Sequence, residues 1–200
     1  MTVAIRGVIF DLDGTLVDSQ LDFDLMRQEM ELPPEMAILE ALTKLPADHA
    51  ERCRQILHRH EQAGADRSQL LPGVREVLES VTRQRWHQAI VTRNSRPVTE
   101  ATLRGVALHF SHVMTRDDGP VKPHPWPIER LCHEWQVNPA EVVMIGDYRF
   151  DIECGRAAGA RTVLLTGTDD PKSYENSEQA DLVLSSLADQ TVLLDWLAGL

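Results

Sequence analysis

Short apolar runs rich in β-branched residues recur along this chain, each ended by polar residues or a turn. The first, Val3 to Phe10, reads as a buried strand, because a strand covered on both faces shows a continuous apolar run. Five similar runs follow: "HQAIVT" (His87–Thr92), "SHVMT" (Ser111–Thr115), "EVVMIG" (Glu141–Gly146), "RTVLLT" (Arg161–Thr166) and "ADLVL" (Ala180–Leu184). Between them the apolar positions move to helical spacing. Val74, Val77, Leu78 and Val81 form one stripe within Val74–Arg85, and Ile128, Leu131, Cys132 and Trp135 another within Pro127–Trp135. A helix over Pro97–Arg104 follows Ser95, a residue suited to an N-cap. Another over Phe150–Ala158 stops at Gly159, suited to the left-handed position past a helix end. Ser185–Leu197 closes the chain as a last helix. Strands alternating with helices of about ten residues predict βαβ units. The expected class is therefore α/β, a parallel sheet with helices on both faces.

One stretch breaks this rhythm. From about Ser19 to Leu70 no strand signal occurs, and three helices are predicted over Leu21–Leu32, Pro34–Leu45 and Ala47–Ala63. Pro33-Pro34 and Pro46 separate them, since proline interrupts a helix interior. A small all-α module inserted after the first strand follows. It divides the chain into 1–17 with 71–200, and 18–70, with "LPGV" (Leu71–Val74) marking re-entry. The polar stretch "GTDDPKSYENSEQ" (Gly167–Gln179) reads as a surface loop before the last strand.

Composition narrows the function. Apolar residues at 42% and charged residues at 26% describe an ordinary globular protein. A net charge of −11 argues against nucleic acid or an anionic membrane as partner, both of which need a basic face. It leaves room for a small anionic substrate, because a metal ion can reverse the field in one pocket. Cys53, Cys132 and Cys154 are odd in number and far apart, as free thiols in a reducing compartment would be. With no signal-peptide pattern and no window near the ~20 apolar residues of a membrane span, a cytoplasmic protein is expected.

Ligands of open parallel sheets bind beyond the carboxyl ends of the strands. The first run ends in "DLDGT", with Asp11 and Asp13 two residues apart. The second ends in Thr92, within "IVTRNS", followed by Arg93 and Asn94. Lys122, in "GPVKPHP", follows the third. Asp147 and Asp151, in "GDYRFD", follow the fourth. Clustered carboxylates suit Mg2+, a hard cation that binds carboxylates, waters and substrate phosphates. A carboxylate is also a competent nucleophile toward phosphorus, and a second one nearby can carry the proton. A turn with Gly14, a threonine hydroxyl and a lysine would hold phosphoryl oxygens and offset their charge.

At these residues the chain resembles the haloacid dehalogenase superfamily. "DLDGT" is similar to its motif DxDxT, Thr92 to its strand-ending Ser or Thr, Lys122 to its third motif and "GDYRFD" to its fourth, GDxxxD. The four stand in the family's order and span about Val3 to Leu184. The resemblance implies a Rossmann-like core with a small helical cap, of the type called C1, inserted after the first strand. It implies Asp11 as nucleophile and Mg2+ ligand, and Asp13 as general acid/base with its backbone carbonyl on the metal. Thr92 would bind a phosphoryl oxygen. Lys122 would orient Asp11 and neutralise a phosphoaspartate. Asp147 would be a metal ligand, and Asp151 would complete the acidic cluster. Arg93 and Asn94 are candidates for substrate contact. An aspartate at position 13 resembles the Mg2+-dependent phosphotransferase branch, with phosphoglycolate-phosphatase-like enzymes nearest. The implied partner is a small phosphorylated metabolite, and a monomer and a homodimer both stay open.

Two readings compete with a phosphatase: a sugar phosphomutase of the β-phosphoglucomutase kind, and a non-catalytic binding protein on the same fold. A phosphonatase would need a lysine from the inserted helices, where Lys44 is the one candidate. Tyr148 and Phe150 are bulkier than usual in the fourth motif. Phe23, Met26 and Arg27 are candidates to face the substrate. His58, His60, His109 and His112 read as surface or satisfied histidines, because their spacing suits no common metal site.

Overall fold

The computed structural model describes residues 4–34, 36–167 and 177–200. Val3 and residues 168–176 of the polar stretch lie outside the described residues. The strands are β1 (Gly7–Phe10), β2 (Val17–Asp18), β3 (Gln69–Leu70), β4 (His87–Val91), β5 (His112–Met114), β6 (Val142–Gly146), β7 (Arg161–Leu165) and β8 (Leu182–Leu184). The helices are α1 (Phe23–Glu29), α2 (Ile38–Leu42), α3 (Ala47–Arg67), α4 (Val74–Arg83), α5 (Arg96–Gly105), α6 (Trp126–Trp135), α7 (Arg149–Ala158) and α8 (Gln190–Ala198).

Six strands form one sheet in the order β5-β4-β1-β6-β7-β8, and every neighbouring pair is parallel. This is the expected Rossmann-like α/β architecture, with β1 near its centre. Side-chain alternation explains why both faces are apolar. Val8 and Phe10 of β1, Ile90 of β4 and Val143 and Ile145 of β6 join one core cluster with Val77 and Val81 of α4, Leu103 of α5 and Leu193 of α8. Ile9, Ala89, Val91 and Met144 point the other way, onto Ile128, Leu131 and Trp135 of α6 and Cys154 of α7. The predicted stripes of α4 and α6 are thus the faces that pack on the sheet.

The inserted helices carry a small core of their own, built from Met26, Met30, Ile38, Ala41, Cys53 and Leu57. Their lengths differ from expectation. The second shrinks to the five residues Ile38–Leu42, and the third runs on to Arg67. A strand also appears where none was expected. Gln69–Leu70 pairs antiparallel with Val17–Asp18, so a two-stranded ribbon closes the base of the insertion. Two residues are too few for a readable alternation, and the pairing is non-local. Gly73 ends the return at φ +83°, where an added Cβ would lie 2.2 Å from the Leu187 carbonyl oxygen. Gly159 takes the left-handed position at the end of α7 as expected. Ser95 stands at the start of α5 but makes no side-chain cap bond. Among the described residues no helix is long and apolar enough to cross a membrane.

Two ion pairs, of which Arg116–Glu61 is bidentate, join the insertion to the sheet. Glu40 of α2 accepts from Arg93 at 2.8 and 2.7 Å. Glu61 of α3 is 4% exposed and accepts two bonds from Arg116, the second at 2.9 Å. Burial raises the Glu61 carboxyl above its usual range, although the Arg116 hydrogen bond and charge pull it back. Replacing Arg116 by methionine strands that carboxylate, which costs about 3 kcal/mol when the remaining charge is buried. A carboxyl raised in the folded state adds stability below its unfolded pKa and loses it as pH rises through the folded one. The deficit of Arg116→Met against the parent is therefore expected to be small near pH 4 and to grow toward pH 7.5, as read by urea denaturation.

Candidate active site

Parallel pairing aligns the carboxyl ends of the central strands. Phe10 registers with Ile90 on one side and Ile145 on the other. The residues that follow therefore emerge at one edge: Asp11 after β1, Thr92 after β4 and Asp147 after β6. The Asp11 N–H donates to the Ile145 carbonyl at 2.9 Å, which extends the register one residue into the motif. The chain then turns sharply at Gly14, with φ +74°. A Cβ there would lie 2.1 Å from Asp147 Oδ2, so glycine answers both the backbone angle and the approach of that carboxylate. Gly146 makes room in the same way, since a Cβ would lie 2.1 Å from Asp151 Cγ.

Carboxylate oxygens of Asp11, Asp147 and Asp151 lie within 4.8 Å of one another. Lys122, 2% exposed, reaches between two of them, at 2.8 Å from Asp11 Oδ1 and 2.6 Å from Asp151 Oδ1. Burial alone would lower the Lys122 ammonium, but the charges of Asp11 and Asp151 outweigh it and hold it above its ordinary range. Asp11 Oδ1 also accepts from the Leu12 N–H at 2.7 Å, which with Lys122 fixes the rotation of the carboxylate. Asp151 Oδ2 accepts from the Tyr148 N–H at 3.0 Å, so this buried group holds both Lys122 and the start of α7.

The acids are held at different protonation strengths. Burial pushes Asp13 up to about 6, with Asp11 adding to the rise and hydrogen bonds from Ser19 and Asn94 opposing it. The Asn94 amide donates to Asp13 Oδ2 at 2.6 Å. Burial, then the Asp11 and Asp151 charges, raise Asp147 well above the carboxylate range. Asp151 rises to about 6, again by burial first, with Lys122 pulling it down. Three crowded carboxylates facing one ammonium leave surplus negative charge and hard oxygen donors. That donor set fits a divalent cation such as Mg2+.

The catalytic, metal and phosphate-binding candidates read from the strand ends lie at this edge. Asp11, Asp13, Thr92, Arg93, Asn94, Lys122, Asp147 and Asp151 all line one cavity of about 470 Å3. Thr92 is buried, and its Oγ1 accepts from the Asn94 N–H at 3.1 Å. Arg93 is more occupied than a substrate ligand would be. Its Nη2 donates to both Glu40 oxygens, its Nη1 to the Lys122 carbonyl, and its guanidinium lies 4.5 Å over the Phe150 ring. Phe23 and Arg27 do line the cavity, whereas Met26 is fully buried inside the insertion and does not. Lys44 is absent from the lining, so a lysine-based phosphonatase finds no support. Tyr148, half exposed, and Phe150 meet edge to face, and both line the cavity.

Ser19, Glu40, Glu61 and Arg116 were not singled out in the sequence. A signal existed for Glu61, which falls four residues after Leu57 on the buried stripe Ala50, Cys53, Leu57 and Gly64. A charge on an apolar stripe asks for a partner. None of the eight histidines belongs to a metal-ligand cluster among the described residues.

Comparison with known proteins agrees with this geometry. The model of the haloacid dehalogenase-like hydrolases matches residues 24–165. The chain belongs to the haloacid dehalogenase-like hydrolase family. This hydrolase is 32% identical over a 206-residue alignment to a haloacid dehalogenase-like hydrolase domain-containing protein of Arabidopsis thaliana, covering 96% of this chain and 84% of the relative. It is 30% identical to a phosphoglycolate phosphatase of Pectobacterium atrosepticum, covering 93% and 91%. A solved hydrolase from Pseudomonas syringae shares its fold with a TM-score of 0.77 at 25% identity, covering 96% of this chain and 98% of that one.

The raised Asp147 carboxyl carries a signed consequence for the metal-free hydrolase. Below the ordinary carboxylate pKa it is neutral in both states. As pH rises, the folded state must ionise it beside Asp11 and Asp151, and stability is lost. Asp147→Asn removes that penalty. It is expected to raise the thermal midpoint in EDTA at pH 7.5 by roughly 2–4 °C per kcal/mol recovered, with little change at pH 4. Differential scanning calorimetry at the two pH values checks this.

Proposed function

We propose that this hydrolase is a Mg2+-dependent phosphatase that cleaves a small phosphate monoester through a phosphoaspartate on Asp11. In this reading residues 1–17 and 71–200 form the catalytic core, and 18–70 form a helical cap over the cleft. The observation that carries it is the meeting of Asp11, Asp147 and Asp151 oxygens around a lysine bridged to two of them. The Pectobacterium relative, a phosphoglycolate phosphatase, supports the substrate class. Buried free cysteines fit a reducing, cytoplasmic setting.

Asp11, Asp147, Asp151 and the Asp13 backbone carbonyl would hold the metal, which when bound neutralises phosphoryl oxygens and the crowded carboxylates. The chain's own residues do the rest. A carboxylate oxygen of Asp11 attacks phosphorus. The leaving oxygen departs with the proton of Asp13, whose carboxyl near 6 is usable in both forms close to neutrality. Asn94 and Ser19 hold Asp13 for that transfer. Thr92 Oγ1 and Lys122 Nζ bind phosphoryl oxygens. Asp13, now a carboxylate, takes a proton from water, whose oxygen attacks phosphorus and breaks the bond to Asp11. Phosphate leaves and both aspartates return to their starting state.

Phosphate release from a panel of phosphorylated metabolites is expected with Mg2+ and lost in EDTA. Asp11→Asn should lower kcat by at least about 10^3-fold, the scale seen when a nucleophile is removed. Asp13→Asn should cost about 10^2- to 10^4-fold, the range for a positioned proton carrier. An Asp11→Asn protein that released phosphate at the parent rate would overturn the reading.

A further inference from the structure

The cavity is lined by three cationic side chains among the described residues, and two are already committed. Lys122 is held between Asp11 and Asp151. Arg93 is spent on Glu40, the Lys122 carbonyl and the Phe150 ring. Arg27 differs. Its Nε is buried with no hydrogen-bond partner among the described residues. Among the described residues its one ion pair, from Nη2, goes at 2.5 Å to Asp24, a carboxylate 87% exposed to solvent. An exposed i,i+3 pair of this kind contributes little and is easily exchanged.

Placement on α1 aims Arg27 at the cavity. Phe23 and Arg27 stand four residues apart and so share a face, the one that lines the cavity. Met26 and Met30 share another face, which is buried in the core of the insertion. Among the described residues Arg27 is the cationic lining residue that the insertion contributes, alongside apolar lining residues such as Met36 and Ile38 and the acids Asp18 and Glu61, the latter already paired with Arg116. A guanidinium has five donors in a fixed fork that matches a carboxylate or phosphate. A buried donor with no acceptor is unfavourable until something supplies one.

We propose that Arg27 is a specificity-determining residue that binds a second anionic group on the leaving-group side of the substrate. The preferred substrate is then a small phosphate monoester whose alcohol portion also carries a carboxylate or a second phosphate. The inference deepens the phosphatase reading above and rests on it for the position of the first phosphate. It assigns the two charges to different parts of the chain: the reacting phosphoryl group to the strand ends, the second anion to α1.

Binding and turnover together test it. Calorimetry with Mg2+ would compare 2-phosphoglycolate, ethylene glycol bisphosphate and ethyl phosphate, the last of similar size with no second anion. At least one doubly anionic probe is expected to bind roughly 10- to 100-fold tighter than ethyl phosphate, the range for a hydrogen bond to a charged group. Whichever probe shows the larger margin identifies carboxylate or phosphate as the second anion. In Arg27→Gln the margin should fall to about onefold, and Arg27→Lys should retain part of it. The ratio of kcat/KM values between the same probes should move with it, mainly through KM. No margin in the parent protein, or a margin that survives Arg27→Gln in protein shown folded by circular dichroism, would overturn the inference. Failure of the phosphatase reading looks different: no phosphate released from any probe, while the binding margin is still measured.

Discussion

The buried ammonium of Lys122 is the contact on which the rest of the site depends. It joins a loop that follows β5 to Asp11 at the end of β1 and to Asp151 at the start of α7. Without a cation there, two carboxylates would be buried side by side, which the interior does not tolerate. With it, three segments distant in sequence are drawn to one point at the middle of the sheet edge. Gly14 and Gly146 are the steric counterpart. Each gives up a side chain where a carboxylate must pass, Gly14 for Asp147 of the other motif and Gly146 for Asp151 of its own.

Burial, with electrostatic crowding added to it, then does two things at once. It holds Asp147 and Asp151 at raised pKa values, and it keeps Asp13 near 6 with Asp11 beside it. An arrangement that is unfavourable in the bare chain is the one that a hard cation and a phosphoryl group complement. The pull that stabilises ligands and the strain that the chain carries without them are the same charge surplus.

The inserted helices are tied to this edge by charge as well as by the β2–β3 ribbon. The Glu40–Arg93 pair reaches the residue next to Thr92, and the Glu61–Arg116 fork reaches the loop after β5. Position of the insertion and orientation of the strand-end loops are therefore one mechanical variable. Arg93 shows why. One guanidinium bonds both Glu40 of α2 and the carbonyl of Lys122. Arg27, four residues from Phe23 on α1, is the lining cation outside that network.

Much of this was legible in the linear chain. The apolar runs of β1, β4, β6 and β7 and the stripes of α4 and α6 follow from burial with a fixed period, which is local information. Polar residues at the ends of those runs marked the edge where Asp11, Thr92, Lys122 and Asp147 meet. The short α2, the two-residue strands β2 and β3 and the extension of α3 were not legible, because brief elements are decided by packing rather than by their own pattern. By itself, then, the sequence determined the α/β sheet and the set of residues brought to one edge, since periodicity and the alternation of strands with helices suffice for those. Only the tertiary structure decided which charges pair: Lys122 with Asp11 and Asp151, Arg93 with Glu40, Arg116 with Glu61. Ion pairing depends on distances between segments far apart in the chain, and it is this pairing that engages Arg93 and leaves Arg27 with a donor to spare.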